Sequence, residues 1–240
     1  MNNKPSVEVC LSPQLLNLYD LQGKTVVVID VLRATSTICT ALYHGIEAVI
    51  PVSSIEKCIA YKDFADHILA AERDAETPFG FQYSNSPRDY MNESIKGKTL
   101  VLTTTNGTKL LHDVLSSDKI LIGAFVNIDS LSNYLLEQTN DVILACASWR
   151  GRVNMEDSLF AGGVISRIKN KYNISCDSGR MMGDLYDSIS SDLFSYHLKA
   201  NHRERLINLG AAEDFEYCFK ENAAPVVPIL SEKKLINLLA

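Results

Sequence analysis

Within eight residues, Asp30-Val31-Leu32-Arg33-Ala34-Thr35-Ser36-Thr37 carries a carboxylate, a guanidinium and three hydroxyls. An acid can hold a cation, and amides and hydroxyls can hold an anion. The preceding Thr25-Val26-Val27-Val28-Ile29 is apolar and β-branched, so it reads as a strand buried on both faces, as in a parallel sheet covered by helices. Asp30 then ends that strand, at the edge where open α/β sheets bind ligands. The competing reading is local: Thr35 or Ser36 caps a helix and Asp30 answers its dipole.

Three more polar clusters follow strand-like runs. Glu72-Arg73 leads into a long segment ending at Asn85-Ser86-Pro87. There an acid and an arginine can serve as metal ligand and phosphate clamp, or form a solvated ion pair, and long loops of this kind are often lids. Thr103-Thr104-Thr105-Asn106-Gly107-Thr108 opens onto a helical pattern. Its hydroxyls, amide and glycine suit a cradle for phosphate, sulfonate or carboxylate oxygens, or else a tight turn with a threonine cap. In Arg150-Gly151-Arg152-Val153-Asn154-Met155-Glu156-Asp157 two arginines flank a glycine and two acids open a helix, with Asn154 as its cap. Arginine forks suit oxyanions, and adjacent acids suit a divalent cation. A metal and an anion at one sheet edge imply a phosphate ester.

Other chemistry is missing. No Gly-rich phosphate loop with its lysine, no dinucleotide fingerprint and no Gly-x-Ser-x-Gly elbow occurs. Leu32 stands where an aspartyl phosphatase would carry its second aspartate. The six cysteines (Cys10, Cys39, Cys58, Cys146, Cys176, Cys218) are scattered in apolar segments and read as reduced core thiols. His197 and His202 lie about 140° apart on a helix and make no metal face.

The chain of 240 residues, 46% apolar, can bury a full core. A net charge of −6 without a basic run argues against nucleic acid, and no apolar run is long enough to span a membrane. A cytoplasmic location is expected, with a homodimer as the commonest assembly.

Strand-like runs alternate with helical patterns, the signature of βαβ units and a mainly parallel sheet flanked by helices in three layers, α/β/α. Strands are expected near 7–11, 25–31, 48–52, 68–71, 99–103, 120–123, 142–146 and 226–230. Helices are expected at 35–44 and 54–66, after Pro87, Gly107 and Asp129, and in a helix-rich C-terminal third at 155–171, 181–199 and 212–220. The chain reads as one domain, with 172–240 either capping the sheet or forming a smaller lobe.

Taken in order, Val28-Ile29-Asp30-Val31-Leu32-Arg33-Ala34-Thr35-Ser36-Thr37, Glu72-Arg73, Asn85-Ser86-Pro87, Thr104 to Thr108, and Gly151-Arg152 followed by Glu156-Asp157 and Ala161-Gly162 resemble the magnesium-dependent 2-phosphosulfolactate phosphatases of coenzyme M biosynthesis. The segment Asp214 to Cys218 is similar too. Departures are Ala71 and Asp74, where the family favours glycine, and Ser148 in place of the glycine of Cys-Ala-Gly. They bear on the organic part of the substrate.

The resemblance implies hydrolysis of a small acidic phosphate monoester, (2R)-2-phospho-3-sulfolactate, to sulfolactate and phosphate. Asp30, Glu72, Glu156 and Asp157 would hold Mg²⁺, and Asp30, Arg33, Glu72 and Asp157 would be catalytic, with water as the attacking group. Arg33, Thr35, Arg73, Asn85, Thr104, Thr105, Asn106, Gly107, Thr108 and Arg152 would bind the substrate. The rival reading is a protein that binds an anion without hydrolysing it.

Overall fold

The all-buried runs fold as strands because each residue faces a covering layer on one side or the other. A computed structural model describes residues 4–73, 76–208 and 211–239. The strands are β1 (Ser6–Cys10), β2 (Thr25–Ile29), β3 (Ala48–Pro51), β4 (His67–Ala71), β5 (Thr99–Thr103), β6 (Lys119–Gly123), β7 (Val142–Cys146), β8 (Asn173–Ile174), β9 (Pro228–Ser231) and β10 (Lys234–Asn237). The helices are α1 (Ala34–Tyr43), α2 (Ile55–Ile59), α3 (Gly107–Asp113), α4 (Ile128–Glu137), α5 (Met155–Ile168), α6 (Asp177–Ile189), α7 (Leu193–His197), α8 (Asn201–Asn208) and α9 (Ala212–Cys218).

One mostly parallel sheet of ten strands, in the order β4-β5-β3-β10-β9-β6-β2-β7-β1-β8, forms the centre of this α/β fold. It consists of two parallel blocks joined by a hairpin. Within β4-β5-β3 and within β6-β2-β7-β1-β8 all pairs are parallel, whereas β9 and β10 pair antiparallel with each other and with their neighbours β6 and β3. Three antiparallel steps in succession leave the blocks running in opposite directions. Each outer seam rests on one residue pair, Leu235 with Val49 and Leu121 with Ile229.

This geometry decides where the strand ends go. A flat sheet would hold β2 and β5 roughly 24 Å apart at about 4.8 Å per strand. Yet the turn after β5 touches Asp30 at the end of β2. The sheet therefore twists and curls, and about 20–25° per neighbour accumulates to roughly 100–125° between these strands. Helix α1 fills the inside of the curl and is buried from Ala34 to Leu42. Ile38, Cys39, Ala41 and Leu42 pack there with Val26, Val28, Leu100, Leu102 and Ile122. Helices α4 and α5 cover the other face, where Phe160 and Val164 meet Val27 and Leu144.

A helix enclosed this way must satisfy its hydroxyls internally. Ser36 donates to the Val31 carbonyl at 2.8 Å, Thr37 to the Asn85 carbonyl at 2.9 Å, and Thr40 to the Ser36 carbonyl at 2.7 Å.

Several expected elements shift. The helix over 54–66 stops at Ile59, and the chain then turns so that Tyr61, Phe64 and His67 can bring their rings together. The helix over 181–199 starts earlier and is broken at Ser190–Asp192. There Ser188 and Ser190 bond to the carbonyls of Leu185 and Asp187, the local competition that makes serine a poor helix former. Segment 172–240 contributes helices α6–α9 together with the β9-β10 hairpin inside the main sheet. Asp74, one of the departures from the family pattern, lies outside the described residues.

Candidate active site

Asp30 leaves β2 buried, and two local bonds fix it: the Thr35 amide donates to its carbonyl at 2.9 Å, and its own amide donates to Thr35 Oγ1 at 3.1 Å. One residue on, the Val31 amide donates to Asp157 Oδ1 at 2.9 Å, while Ser148 N and Asn154 Nδ2 donate to Asp157 Oδ2 at 3.1 and 2.9 Å. Asp157, on α5, thereby ties the exits of β2 and β7 together. Asn154 holds the N-cap position of α5, but its amide is a donor to Asp157 and Glu156 and makes no capping bond. Burial, then the neighbouring Glu156 and Asp30, hold the Asp157 carboxyl well above the usual carboxylate range. Asp157 thus lies within electrostatic reach of two other buried acids, Glu156 and Asp30.

The second block supplies the facing wall. A Cβ built on Gly107 would stand 2.6 Å from Ala34 Cβ and 2.7 Å from Asp30 Oδ2. Only glycine lets the turn approach this closely. Thr104 and Thr108 hold that turn by exchanging amide-to-hydroxyl bonds at 3.0 and 3.1 Å. Thr105 donates its amide and its hydroxyl to the two Glu72 carboxylate oxygens, both at 3.1 Å. Glu72, Asp30 and the Thr104–Thr108 turn are therefore brought together, and the Thr35, Thr104 and Thr108 hydroxyls stabilise their own turns. Asn106 sits at the N-cap of α3 without a side-chain cap bond.

Arg33 is buried and donates from Nη1 to Asp214 Oδ2 at 2.5 Å. Ser86 Oγ donates to the other Asp214 oxygen at 2.6 Å. Burial pushes the Cys218 thiol up to about 12, with Asp214 and Asp30 raising it further and Ser36 and Arg33 opposing. Asn85 is buried beside them, its Oδ1 without a hydrogen-bond partner. Motif reading does not single out Asp214 and Ser86 as site residues. Ser86 lies within the Asn85-Ser86-Pro87 element, and the only signal for Asp214 is likeness to the family over Asp214 to Cys218, because an ion pair closed over 181 residues leaves no local spacing.

Two expected arginines lie apart. Arg73 stands on the α2 side of β4, bonded to the Glu72 carbonyl at 2.6 Å and to Thr103 Oγ1 at 2.9 Å, and its charge is felt by Glu56 and Cys58. Arg152 is exposed in a tight turn that pairs Trp149 with Arg152. In that turn Arg150 and Gly151 adopt left-handed φ values of 53° and 76°.

A hard oxygen donor set of Asp30, Glu156 and Asp157 matches Mg²⁺ chemistry, and a cation would relieve the mutual repulsion that lifts Asp157. Among the described residues no three Asp, Glu, His or Cys side chains form a ready-made metal cage. Mg²⁺ in particular is usually held by one or two carboxylates, with waters and substrate phosphates completing the shell. The residues present fit that mode.

A mostly parallel sheet flanked by helices, with buried acids, an arginine and a hydroxyl-rich turn beyond its strand ends, defines the class as an α/β protein. The chain matches the 2-phosphosulpholactate phosphatase family over residues 10–233 and belongs to it. This is a family of phosphoric monoester hydrolases. The chain is 41% identical to a probable 2-phosphosulfolactate phosphatase of Thermotoga petrophila, with 93% of this chain and 95% of that relative covered. Proteins of the same description from Clostridium novyi and Caldanaerobacter subterraneus subsp. tengcongensis are 38% and 36% identical, covering 92% and 90% of this chain and 95% and 91% of theirs.

Proposed function

We propose that the protein is a Mg²⁺-dependent phosphatase that hydrolyses (2R)-2-phospho-3-sulfolactate to 3-sulfolactate and phosphate; its relatives are named as probable 2-phosphosulfolactate phosphatases. The observation that carries this reading is the approach of Gly107 to Asp30, which packs a hydroxyl-rich turn directly against a buried acid. Asp30 and Glu156 would hold the metal. Both Asp157 oxygens accept N–H bonds that align the two strand exits, and both Glu72 oxygens orient the Thr105 turn. Mg²⁺, when bound, supplies Lewis-acid polarisation of the phosphoryl group.

The chain's own residues do the rest. Gly107, lacking a side chain, lets the hydroxyl-rich Thr104–Thr108 turn close directly onto Asp30. Arg33, oriented by Asp214, offsets the substrate's charge with a guanidinium, whose planar fork suits oxyanions better than an ammonium does. Water attacks phosphorus, and the P–O bond to sulfolactate breaks. Six cysteines without disulfides accord with a reducing cytoplasm, and a homodimer is the assembly we propose.

The test is phosphate release from phospho-hydroxy-acids with and without a sulfonate, each in Mg²⁺ and in EDTA. Hydrolysis of the sulfonated ester that stops in EDTA and returns with Mg²⁺ is expected. Tight binding with no phosphate release from any ester would overturn the reading in favour of an anion-binding protein.

A further inference from the structure

We infer that a cavity behind the Thr104–Thr105 turn is a second oxyanion site, taking a phosphate, sulfonate or carboxylate group. The cavity, about 360 Å³, is lined by Ser53, Arg73, Thr104, Thr105, Lys109 and His112. That is enough for a small anion and its waters. Two fixed positive charges, Arg73 and Lys109, and a histidine face one acid, Asp113. The Lys109 side chain is exposed and forms no ion pair or hydrogen bond with the described residues, and His112 Nε2 is buried without a partner. A buried unpartnered imidazole nitrogen beside two positive charges suits a negatively charged occupant, because a polar atom held out of water needs a partner and the cations favour an anionic one.

The site is distinct from the Asp30 mouth yet shares a wall with it. At about 100° per residue, Lys109 lies roughly 200° round α3 from Gly107. Gly107 faces Asp30, and Lys109 faces the cavity. Between them runs Thr105, whose amide and hydroxyl hold Glu72. An anion on the Lys109 side bears on the turn that positions Glu72. The anion has two possible sources, free phosphate and a second acidic group on the substrate.

Isothermal titration of the full chain with inorganic phosphate tests the site without any turnover, so its failure is separable from failure of the phosphatase reading. Two sites per chain are expected: Lys109→Glu should weaken one at least tenfold, and Arg33→Ala the other. Ser53→Asp, an exposed change on the opposite wall, should weaken the same site as Lys109→Glu and serves if that variant does not fold. A single site in the unmodified protein, or two sites indifferent to both changes, overturns the inference. The source is then decided with two phosphate monoesters, one bearing a second acidic group. If Lys109→Glu raises KM for that ester alone, the occupant is the substrate's own group; if it relieves phosphate inhibition of both esters equally, the occupant is the free ion.

Discussion

Arg33 and Asp214, 181 residues apart in sequence, meet at 2.5 Å in a buried ion pair whose acid also accepts from Ser86. Removing one partner of a buried pair costs about 3–5 kcal/mol, because the other charge is left uncompensated. Asp214→Ala should therefore lower unfolding free energy by about that amount. Ser86→Ala, which removes one hydrogen bond, should cost about 1 kcal/mol. Arg33→Lys keeps the charge and loses the fork, so kcat/KM should fall while charge-matched controls elsewhere do not change it. Denaturant melts and steady-state kinetics on the three variants check this; Asp214→Ala as stable as the parent would reject it.

Asp30 is the acid packed against Gly107. Asp30→Asn should reduce turnover at least about 100-fold, the scale lost when one charge-stabilising group is removed from a site. Circular dichroism should remain native, and added Mg²⁺ should not restore the rate. Near-normal phosphate release in the variant would remove Asp30 from the chemistry.

Gly107 has no room for a side chain, with Ala34 Cβ 2.6 Å and Asp30 Oδ2 2.7 Å from a built Cβ. Gly107→Ala must push α1 or the Asp30 carboxylate aside, costing about 1–3 kcal/mol as overpacking does. Activity should fall further than stability, because the displaced atoms belong to the site. The comparison is melting temperature against kcat in one preparation, and a variant that loses neither would show that the turn and α1 can separate freely.

His197 is fully buried, stacked on Phe219 with ring centroids 3.7 Å apart and edge-on to Phe125. Burial pushes its pKa down to about 4, against a weaker opposing contribution from the Leu193 carbonyl, and neither ring nitrogen has a partner of normal hydrogen-bond geometry. The depressed value means that the fold favours the neutral ring. Its contribution is full above the ordinary value of 6.5 and is lost as pH falls through about 4. The loss is on the order of 3 kcal/mol. His197→Phe should flatten the stability profile over that window in urea melts, and an unchanged slope would point to other groups.

The central strands were legible in the sequence, because all-apolar runs such as Val26–Ile29 and Leu100–Leu102 can be satisfied only by burial on both faces, whereas β8 and the polar-edged β10 were not. The sequence by itself also marked the acids and the hydroxyl turn, whose residue types declare their chemistry locally. Tertiary structure decided which of them meet. The reversal between the two sheet blocks depends on a hairpin near the chain's end that joins them, and only accumulated twist brings the Gly107 turn to Asp30. Just beyond β4, Arg73 turns to Thr103 and the α2 side while Glu72 turns to the Thr105 turn. Asp214 reached Arg33 through packing of α9, a contact of such long range that no spacing rule registers it.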